Sequence, residues 1–177
     1  MSGTSEHLVQ PIDGARQVQV CDATHACIDR AGRLFERRFS EIPILFDIRG
    51  RAAGMYRVRG RERVIRYNPW LFARYFDDNL NTTVPHEVAH YVTDVLYGIK
   101  RVKPHGPEWR AVMTSLGAAP EVNCRYDLAG IPTRRQQRHI YHCDCTTHKL
   151  TSVRHNRILS GQTRYYCRFC KSIIRRT

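Results

Sequence analysis

The chain has no long hydrophobic run and no internal repeat. None of its 177 residues belongs to a stretch that approaches the roughly 18 apolar residues a membrane helix needs. The first fifteen residues also lack the apolar run of a secretory signal peptide. These absences exclude membrane-spanning and repeat architectures. They lead us to expect a cytoplasmic chain without a membrane partner, nucleoid-associated if the source is bacterial, with one core and a small appendage.

Acidic residues are scarce, and the imbalance is concentrated near the C-terminus. The chain has 29 Lys and Arg against 16 Asp and Glu, a net charge of +13, and residues 130–177 supply +10 of it with Asp144 as their one acid. A solvated basic face is the alternative interpretation. Because phosphates attract cations and aromatic rings stack on unpaired bases, the interleaving of this charge with Tyr141, Tyr165, Tyr166 and Phe169 favours a polyanion. We predict DNA contacts at Arg154, Arg157, Arg164, Arg168, Lys171, Arg175 and Arg176.

The stretch His86-Glu87-Val88-Ala89-His90 is an HExxH motif. On a helix it places two imidazoles on one face, where they can bind one zinc ion, while Glu87 can act as the base for a zinc-activated water. A surface helix with two histidines is the alternative. Apolar residues at helical spacing support the helix, and Pro85 requires it to begin near Thr82 or to kink before His86.

A catalytic zinc needs a third protein ligand, and two downstream residues are candidates. His105 precedes a helix that opens near Pro107, on a turn that contains Gly106. Glu108 would lie in the first turn of that helix, where a carboxylate also serves as a cap. We favour His105, which gives a His₃ site, and keep Glu108 as the alternative.

The C-terminal cysteines have metal-ligand spacing, and in a cytoplasmic chain such pairs indicate zinc more than disulfides. Cys167 and Cys170 form a CxxC knuckle, and the segment from Cys143 to His148 offers three more ligands. The 18 residues between His148 and Cys167 leave room for one β-hairpin. This layout predicts a basic zinc ribbon with one structural zinc. Its ligands are four of five residues: Cys143, Cys167 and Cys170, with Cys145 or His148 as the fourth. We expect His155 to contact phosphate or cap the hairpin, and Cys21, Cys27 and Cys124 to be buried free thiols.

The order of predicted elements is that of an α+β zincin. After a disordered segment at 1–13 come a helix over 15–39 and strands over 44–48, 55–58 and 64–67. A short helix over 70–76, the HExxH helix and a helix over 109–116 follow. The predicted domains are the protease domain at 14–125, a polar linker at 126–138 and the ribbon at 139–177.

These motifs together resemble the SprT-like metalloprotease family, which includes the Spartan proteases that cleave proteins crosslinked to DNA. The resemblance rests on HEVAH, then HGPEW after a 14-residue gap, the preceding VIRYNP, and a C-terminal pattern like that of bacterial SprT proteins. It implies that His105 is the third ligand and that DNA-bound proteins are the substrates. By analogy with zincins it also suggests that substrate lies along a sheet edge formed by residues 64–68, and the alternative is that these residues form an ordinary paired strand.

We therefore predict a zinc metallopeptidase with one catalytic and one structural zinc, in which His86, His90 and His105 bind metal and Glu87 is the general base. The rival prediction is a nucleic-acid-binding zinc-ribbon protein with a role in transcription and a weak or vestigial protease site. Loss of cleavage on replacing Glu87 would separate the two.

Overall fold

The computed structural model describes residues 8–122, 126–133 and 137–176, and the chain forms two compact units, residues 1–133 and 134–177. The elements of the first unit are α1 (Gly14–Leu34), β1 (Ile44–Leu45), β2 (Gly54–Arg59), β3 (Glu62–Tyr67), α2 (Pro69–Arg74), α3 (Phe76–Asn81), α4 (Thr83–Tyr97) and α5 (Pro107–Ser115). Those of the second are β4 (Arg138–His142), β5 (Thr147–Thr151), α6 (Ser152–Leu159) and β6 (Arg175–Arg176). The predicted mixture of helices and small sheets is confirmed. None of the helices in the described residues has the length and hydrophobicity of a membrane span.

The first helix ends earlier than predicted. Asp13 caps its N-terminus by accepting a hydrogen bond from the Arg16 backbone N–H at 2.9 Å. Glu36 then adopts a left-handed conformation with φ of 47°, and the Arg37 N–H donates to the Gly32 carbonyl at 3.1 Å. This closing hydrogen bond satisfies a carbonyl of the last turn, so the helix stops at Leu34 and not at residue 39.

The sheet of the first unit has the order β1-β3-β2. β3 runs parallel to β1 and antiparallel to β2, and Gly60, with φ of 61°, lies in the turn between β2 and β3. Only Ile44–Leu45 of the predicted strand over 44–48 is paired. The prediction that residues 64–68 form the substrate-binding edge is wrong, because β3 is paired on both sides and β2 is the edge strand next to the motif helix.

Asn68 joins the sheet to the following helices. Its side-chain oxygen accepts hydrogen bonds from the N–H groups of Trp70 and Leu71, which caps α2, and its amide donates to the carbonyls of Gly50 and Ala52. Because the side chain is fully buried and all these partners are backbone groups, one residue fixes both the start of α2 and the loop before β2.

The motif helix α4 begins at Thr83, which resolves the difficulty posed by Pro85. Proline is the third residue of the helix, where a backbone N–H would lack an intrahelical partner in any case. Val84, Val88 and Val92 are buried in the core of the unit, and Gly98 ends the helix with φ of 86°. The helix is therefore anchored along its apolar face, as its sequence pattern predicts.

Two predicted domain boundaries differ from the structure. Residues 8–13 were assigned to a disordered segment, yet Ile12 is buried and the Val9 N–H donates to the Gly130 carbonyl at 3.0 Å. The first half of the predicted linker also packs on this unit, since Ile131 is buried and the Gly50 N–H donates to the Pro132 carbonyl. Residues 1–7 of the predicted disordered segment, Cys124, and Arg134 and Arg135 of the basic region lie outside the described residues.

The second unit is a three-stranded sheet of order β5-β4-β6 with a small apolar core. That core consists of Tyr141, Leu150, Cys167 and Ile174. The hairpin predicted between the two ligand pairs is absent from the described residues, and the hairpin that forms, β4 and β5, flanks the first cysteine pair. Helix α6 occupies much of the intervening segment.

Candidate metal centres

Helix α4 and the loop before α5 bring three imidazoles to one point. His86 and His90 lie one turn apart on α4, and their Nε2 atoms are 3.3 Å from each other. The Nε2 atom of His105 is 3.0 Å from each of them. His105 adopts a left-handed conformation with φ of 57°, which turns the loop so that its ring meets those of α4.

The three histidines fit a zinc ion. At Zn–N distances of about 2.0–2.1 Å, tetrahedral ligand atoms are about 3.3 Å apart, close to the observed separations. Burial lowers the pKa of His86 to about 4 and that of His90 to about 3, and it also lowers the pKa of His105. The rings are therefore neutral near pH 7 and offer lone pairs to a metal. Glu108, the alternative ligand, lies in the first turn of α5 and is not part of this group.

Trp109 packs against the rings of all three histidines. Its ring centroid is 4.7 Å from those of His86 and His105 and 5.5 Å from that of His90. Its Nε1–H donates to the His86 carbonyl at 3.3 Å, and the side chain is almost completely buried. A large ring held in this way restricts the rotamers of the histidines, so the ligand atoms are positioned before a metal binds.

Glu87 is buried beside the three histidines but does not belong to the group. Its Oε2 accepts a hydrogen bond of 2.6 Å from the Tyr56 backbone N–H on the edge strand β2. Burial raises the pKa of Glu87 to about 8, against the opposing effect of that hydrogen bond. A dication on the histidines would favour the ionised carboxylate. Oε1 accepts no hydrogen bond from the described residues, which leaves it free to act as a base.

The second unit gathers four thiols. The sulfur atoms of Cys143, Cys145, Cys167 and Cys170 all lie within 4.8 Å of one another. The Cys143–Cys145 and Cys145–Cys167 sulfur distances are 3.5 and 3.6 Å, near the roughly 3.8 Å expected when Zn–S bonds are about 2.3 Å. Hydrogen bonding by Ser172 lowers the pKa of Cys170 to about 6, which favours the thiolate that binds metal. The cluster fits a closed structural zinc site.

His148 and His155 lie outside the thiol group. Of the alternatives for the fourth ligand, the geometry favours Cys145, while His148 places its Nε2 3.2 Å from the Cys143 sulfur. His155 neither caps the hairpin nor faces solvent. It is buried in α6, its Nδ1 is 2.9 Å from the Tyr141 hydroxyl, and its ring stacks on His139 at 3.6 Å.

The sequence of the first unit matches a known family: the model of the SprT-like family covers residues 24–135. The chain belongs to the SprT-like family. Protein SprT of Pasteurella multocida is 37% identical over 146 residues, which is 82% of this chain and 84% of that protein. Protein SprT of Vibrio parahaemolyticus is 37% identical over 157 residues, 88% of each chain. Protein SprT of Pseudomonas aeruginosa is 34% identical over 152 residues, 84% of this chain and 88% of that one.

A polar network that the sequence analysis did not identify braces this SprT-like site. Asp94 accepts hydrogen bonds from the Tyr56 hydroxyl and from Arg63 Nε, both at 2.7 Å, and from the Ile99 N–H at 2.8 Å. Although burial of Asp94 opposes ionisation, these donors lower its pKa. Tyr56 thus contacts Glu87 through its backbone and Asp94 through its side chain. The spacing of Asp94, four residues after His90 on the same helix face, is the signal that could have found it.

Two cavities flank the SprT-like metal site. One, of about 300 Å³, is lined by Tyr56, Asp94 and the three histidines, and the other, of about 330 Å³, by Arg51, Asn81 and Glu121. Both are also lined by Gly54, His86 and Glu87. Gly54, His86 and Glu87 therefore form a wall that the two cavities share.

The predicted DNA-contacting residues of the second unit are all exposed: Arg154, Arg157, Arg164, Arg168, Lys171, Arg175 and Arg176. None of the ion pairs found in the described residues involves them. The aromatic residues divide into two classes. Tyr141 is fully buried and Tyr165 half-buried, whereas Tyr166 is 56% and Phe169 84% exposed, so only the last two remain candidates for stacking on bases.

Proposed function

We propose that this SprT-like chain is a zinc-dependent endopeptidase that acts on proteins bound or crosslinked to DNA. One observation carries the proposal: three imidazole nitrogens, two from α4 and one from the loop before α5, meet within 3.3 Å of one another. The buried carboxylate of Glu87, also on α4, lies beside them. Zinc held by His86, His90 and His105 would keep one position open and supply Lewis-acid activation of water and of the scissile carbonyl.

Glu87 performs the proton transfers in this proposal. Its Oε2 is held by the Tyr56 N–H, so the side chain has one anchored oxygen and one that accepts hydrogen bonds from no described residue. The free oxygen takes the proton of the attacking water and returns it to the amine that leaves. Because the carboxylate is only 5% exposed, bulk water does not compete strongly for this proton.

The edge strand β2 is the proposed platform for the substrate backbone. The Tyr56 N–H points away from β3, since it donates to Glu87. Backbone direction repeats every two residues along a strand, so the polar groups of Gly54 and Val58 also face the open edge. An extended peptide that adds to this edge would run through both cavities with its scissile bond next to Glu87.

Recruitment to DNA is assigned to the second unit, whose described residues include only Asp144 as an acid. The seven cations predicted to contact DNA are exposed and would supply phosphate contacts without sequence preference. Tyr166 and Phe169 supply faces on which unpaired bases can stack. A structural zinc on the four thiols would hold this small unit together.

The test is cleavage of a DNA-binding protein, with and without DNA, by the wild type, Glu87→Gln and Glu41→Gln. Glu87→Gln keeps the side-chain shape but removes the base, so cleavage should fall at least about 100-fold while zinc content stays unchanged. Glu41→Gln removes an exposed carboxylate that belongs neither to the histidine group nor to the lining of the two cavities, and it should match the wild type. If none of the three proteins cleaves while all bind DNA, the rival nucleic-acid-binding function takes the place of the peptidase.

A further inference from the structure

Gly54 begins strand β2 at the point where the strand meets the first turns of α4. A Cβ atom built on Gly54 would lie 2.6 Å from both Cγ and Oε1 of Glu87, and 2.8 Å from Cγ2 of Thr83. Non-bonded carbon atoms in proteins normally lie about 3.5–4.0 Å apart. Gly54 is not one of the residues with positive φ, so the position requires the missing side chain and not the conformational freedom of glycine.

We propose that Gly54 is a positioning residue for Glu87: the absence of a side chain at this position lets the carboxylate lie against the edge strand in the orientation that the base needs. The catalytic part of this inference rests on the proposed peptidase function, whereas the packing part does not.

The Thr83 side chain cannot rotate easily to make room for a methyl group at Gly54. The Thr83 hydroxyl donates to Asn79 Oδ1 at 2.7 Å, and the Asn79 amide donates to the carbonyls of Tyr75 and Leu71 at 2.8 and 3.2 Å. Asn79 is fully buried and Thr83 is 5% exposed. Rotating Thr83 to move its methyl group would leave buried polar atoms unpaired, which is costly.

The strand is also fixed. Gly54 is paired with Tyr67 in a ladder that continues to Arg59, and the neighbouring Ala53 carbonyl accepts the Asn68 N–H at 2.8 Å. Glu87 is therefore the group that must move when a methyl group is added at Gly54. Such a movement breaks its 2.6 Å hydrogen bond to the Tyr56 N–H and redirects the carboxylate.

This displacement should affect the chemical step more than binding. The three atoms nearest to the added methyl group belong to Glu87 and Thr83, and none of them belongs to the metal ligands His86, His90 and His105. A misplacement of about 1 Å in a reacting group can cost about 100-fold in rate. Gly54→Ala should therefore lower kcat about 100-fold and leave KM and zinc content close to those of the wild type.

The first experiment compares Gly54→Ala with Gly14→Ala, a matched control in which the new methyl group meets no atom within 4 Å. Each is made in the wild type and in Glu87→Gln, and kcat, KM and zinc content are measured on an unfolded protein substrate. The loss caused by Gly54→Ala should nearly vanish in the Glu87→Gln background, because effects that act through one group are not additive. A wild-type kcat in Gly54→Ala, or an equal loss in both backgrounds, overturns the proposal.

The second experiment needs no activity and reads the packing directly. Thr83→Ser with Glu87→Ala removes the three atoms nearest to the new methyl group and keeps the hydroxyl that donates to Asn79. Gly54→Ala should lower Tm in the wild type and have a much smaller effect in this double mutant. An equal fall in Tm in both backgrounds overturns the role of Gly54, even if the peptidase function is right.

If Gly54→Ala alone does not fold, folding of the triple mutant supports the role and failure of the triple mutant overturns it. The wild type could also lack peptidase activity while Gly54→Ala lowers Tm in the wild type and much less in the double mutant. That result refutes the proposed function and leaves the packing role of Gly54 intact.

Discussion

At the residue scale, His105 closes the metal site, because it alone among the three histidines comes from outside α4. Its Nε2 atom is 3.0 Å from those of His86 and His90, whereas Glu108 lies in the first turn of α5. We expect His105→Ala to lose one equivalent of zinc, because two imidazoles alone hold a catalytic zinc weakly. Glu108→Ala should retain it. Metal content of the purified proteins by mass spectrometry measures both.

The two variants form a matched pair, since each shortens one side chain in the same short segment. Full zinc occupancy in His105→Ala, together with loss of one zinc in Glu108→Ala, would show that the ligand set is His₂Glu and that our assignment is wrong.

The residues of this site differ in how far the sequence could predict them. His86, Glu87 and His90 follow from helical spacing, which is a local property of five consecutive residues. His105 required a second helix to pack on the first, and here the family resemblance supplied what spacing could not. The contact of Gly54 with Glu87 joins residues 33 positions apart across two elements. No local pattern marks this glycine, so only the packed structure reveals its role.

At the scale of elements, the sequence predicted most strands and helices but not which strand lies at the edge. The order of strands depends on long-range pairing, yet β2 and β3 differ in their patterns of burial. β3 has consecutive buried residues, Val64 and Ile65, as a central strand does, whereas β2 alternates exposed and half-buried residues, as an edge strand does. Cysteine spacing does not predict helix α6, because the span between the pairs is also long enough for a hairpin, although Thr151, His155 and Ile158 share a helical face.

The ribbon unit should depend on its own zinc. Its core holds four buried residues, and one of them, Cys167, is itself a candidate ligand. So small a core cannot stabilise the fold alone. We expect Cys167→Ser with Cys170→Ser to remove one zinc and to make the chain from about residue 139 onward sensitive to added protease, while the first unit stays resistant. Metal analysis and limited proteolysis with mass spectrometry measure the two effects.

Cys21→Ser is the control, since Cys21 is a free thiol in α1, outside both metal-binding groups. It should change neither metal content nor the proteolysis pattern. Unchanged metal content in the double mutant would refute a zinc site on these thiols.

At the scale of the whole molecule, the division of the chain decides how its functions can be separated. The predicted linker began at residue 126, but residues 126–133 contact the first unit. Arg74 binds Asp127 and the Ala129 carbonyl, and Ile131 is buried. Composition could not show this, because the attachment rests on a few long-range contacts. A truncation that preserves the first unit must therefore end after Thr133.

Such a truncation tests the last prediction, that DNA binding resides in the second unit. Each phosphate neutralised by a cation releases condensed counterions, so log K for duplex DNA should fall with log salt at a slope of about −0.9 per contact. We expect the full chain to show this steep dependence and the chain ending at Thr133 to lose most of its affinity while keeping His86, Glu87, His90 and His105. Fluorescence anisotropy over a range of salt concentrations measures both.

Phe169→Ala should weaken binding to single strands by about 1–3 kcal/mol and affect duplex binding less, because stacking needs an unpaired base. Affinity that ignores salt, or that survives the truncation, would mean that the exposed cations are a solvated surface and that recruitment to DNA must be abandoned for this chain.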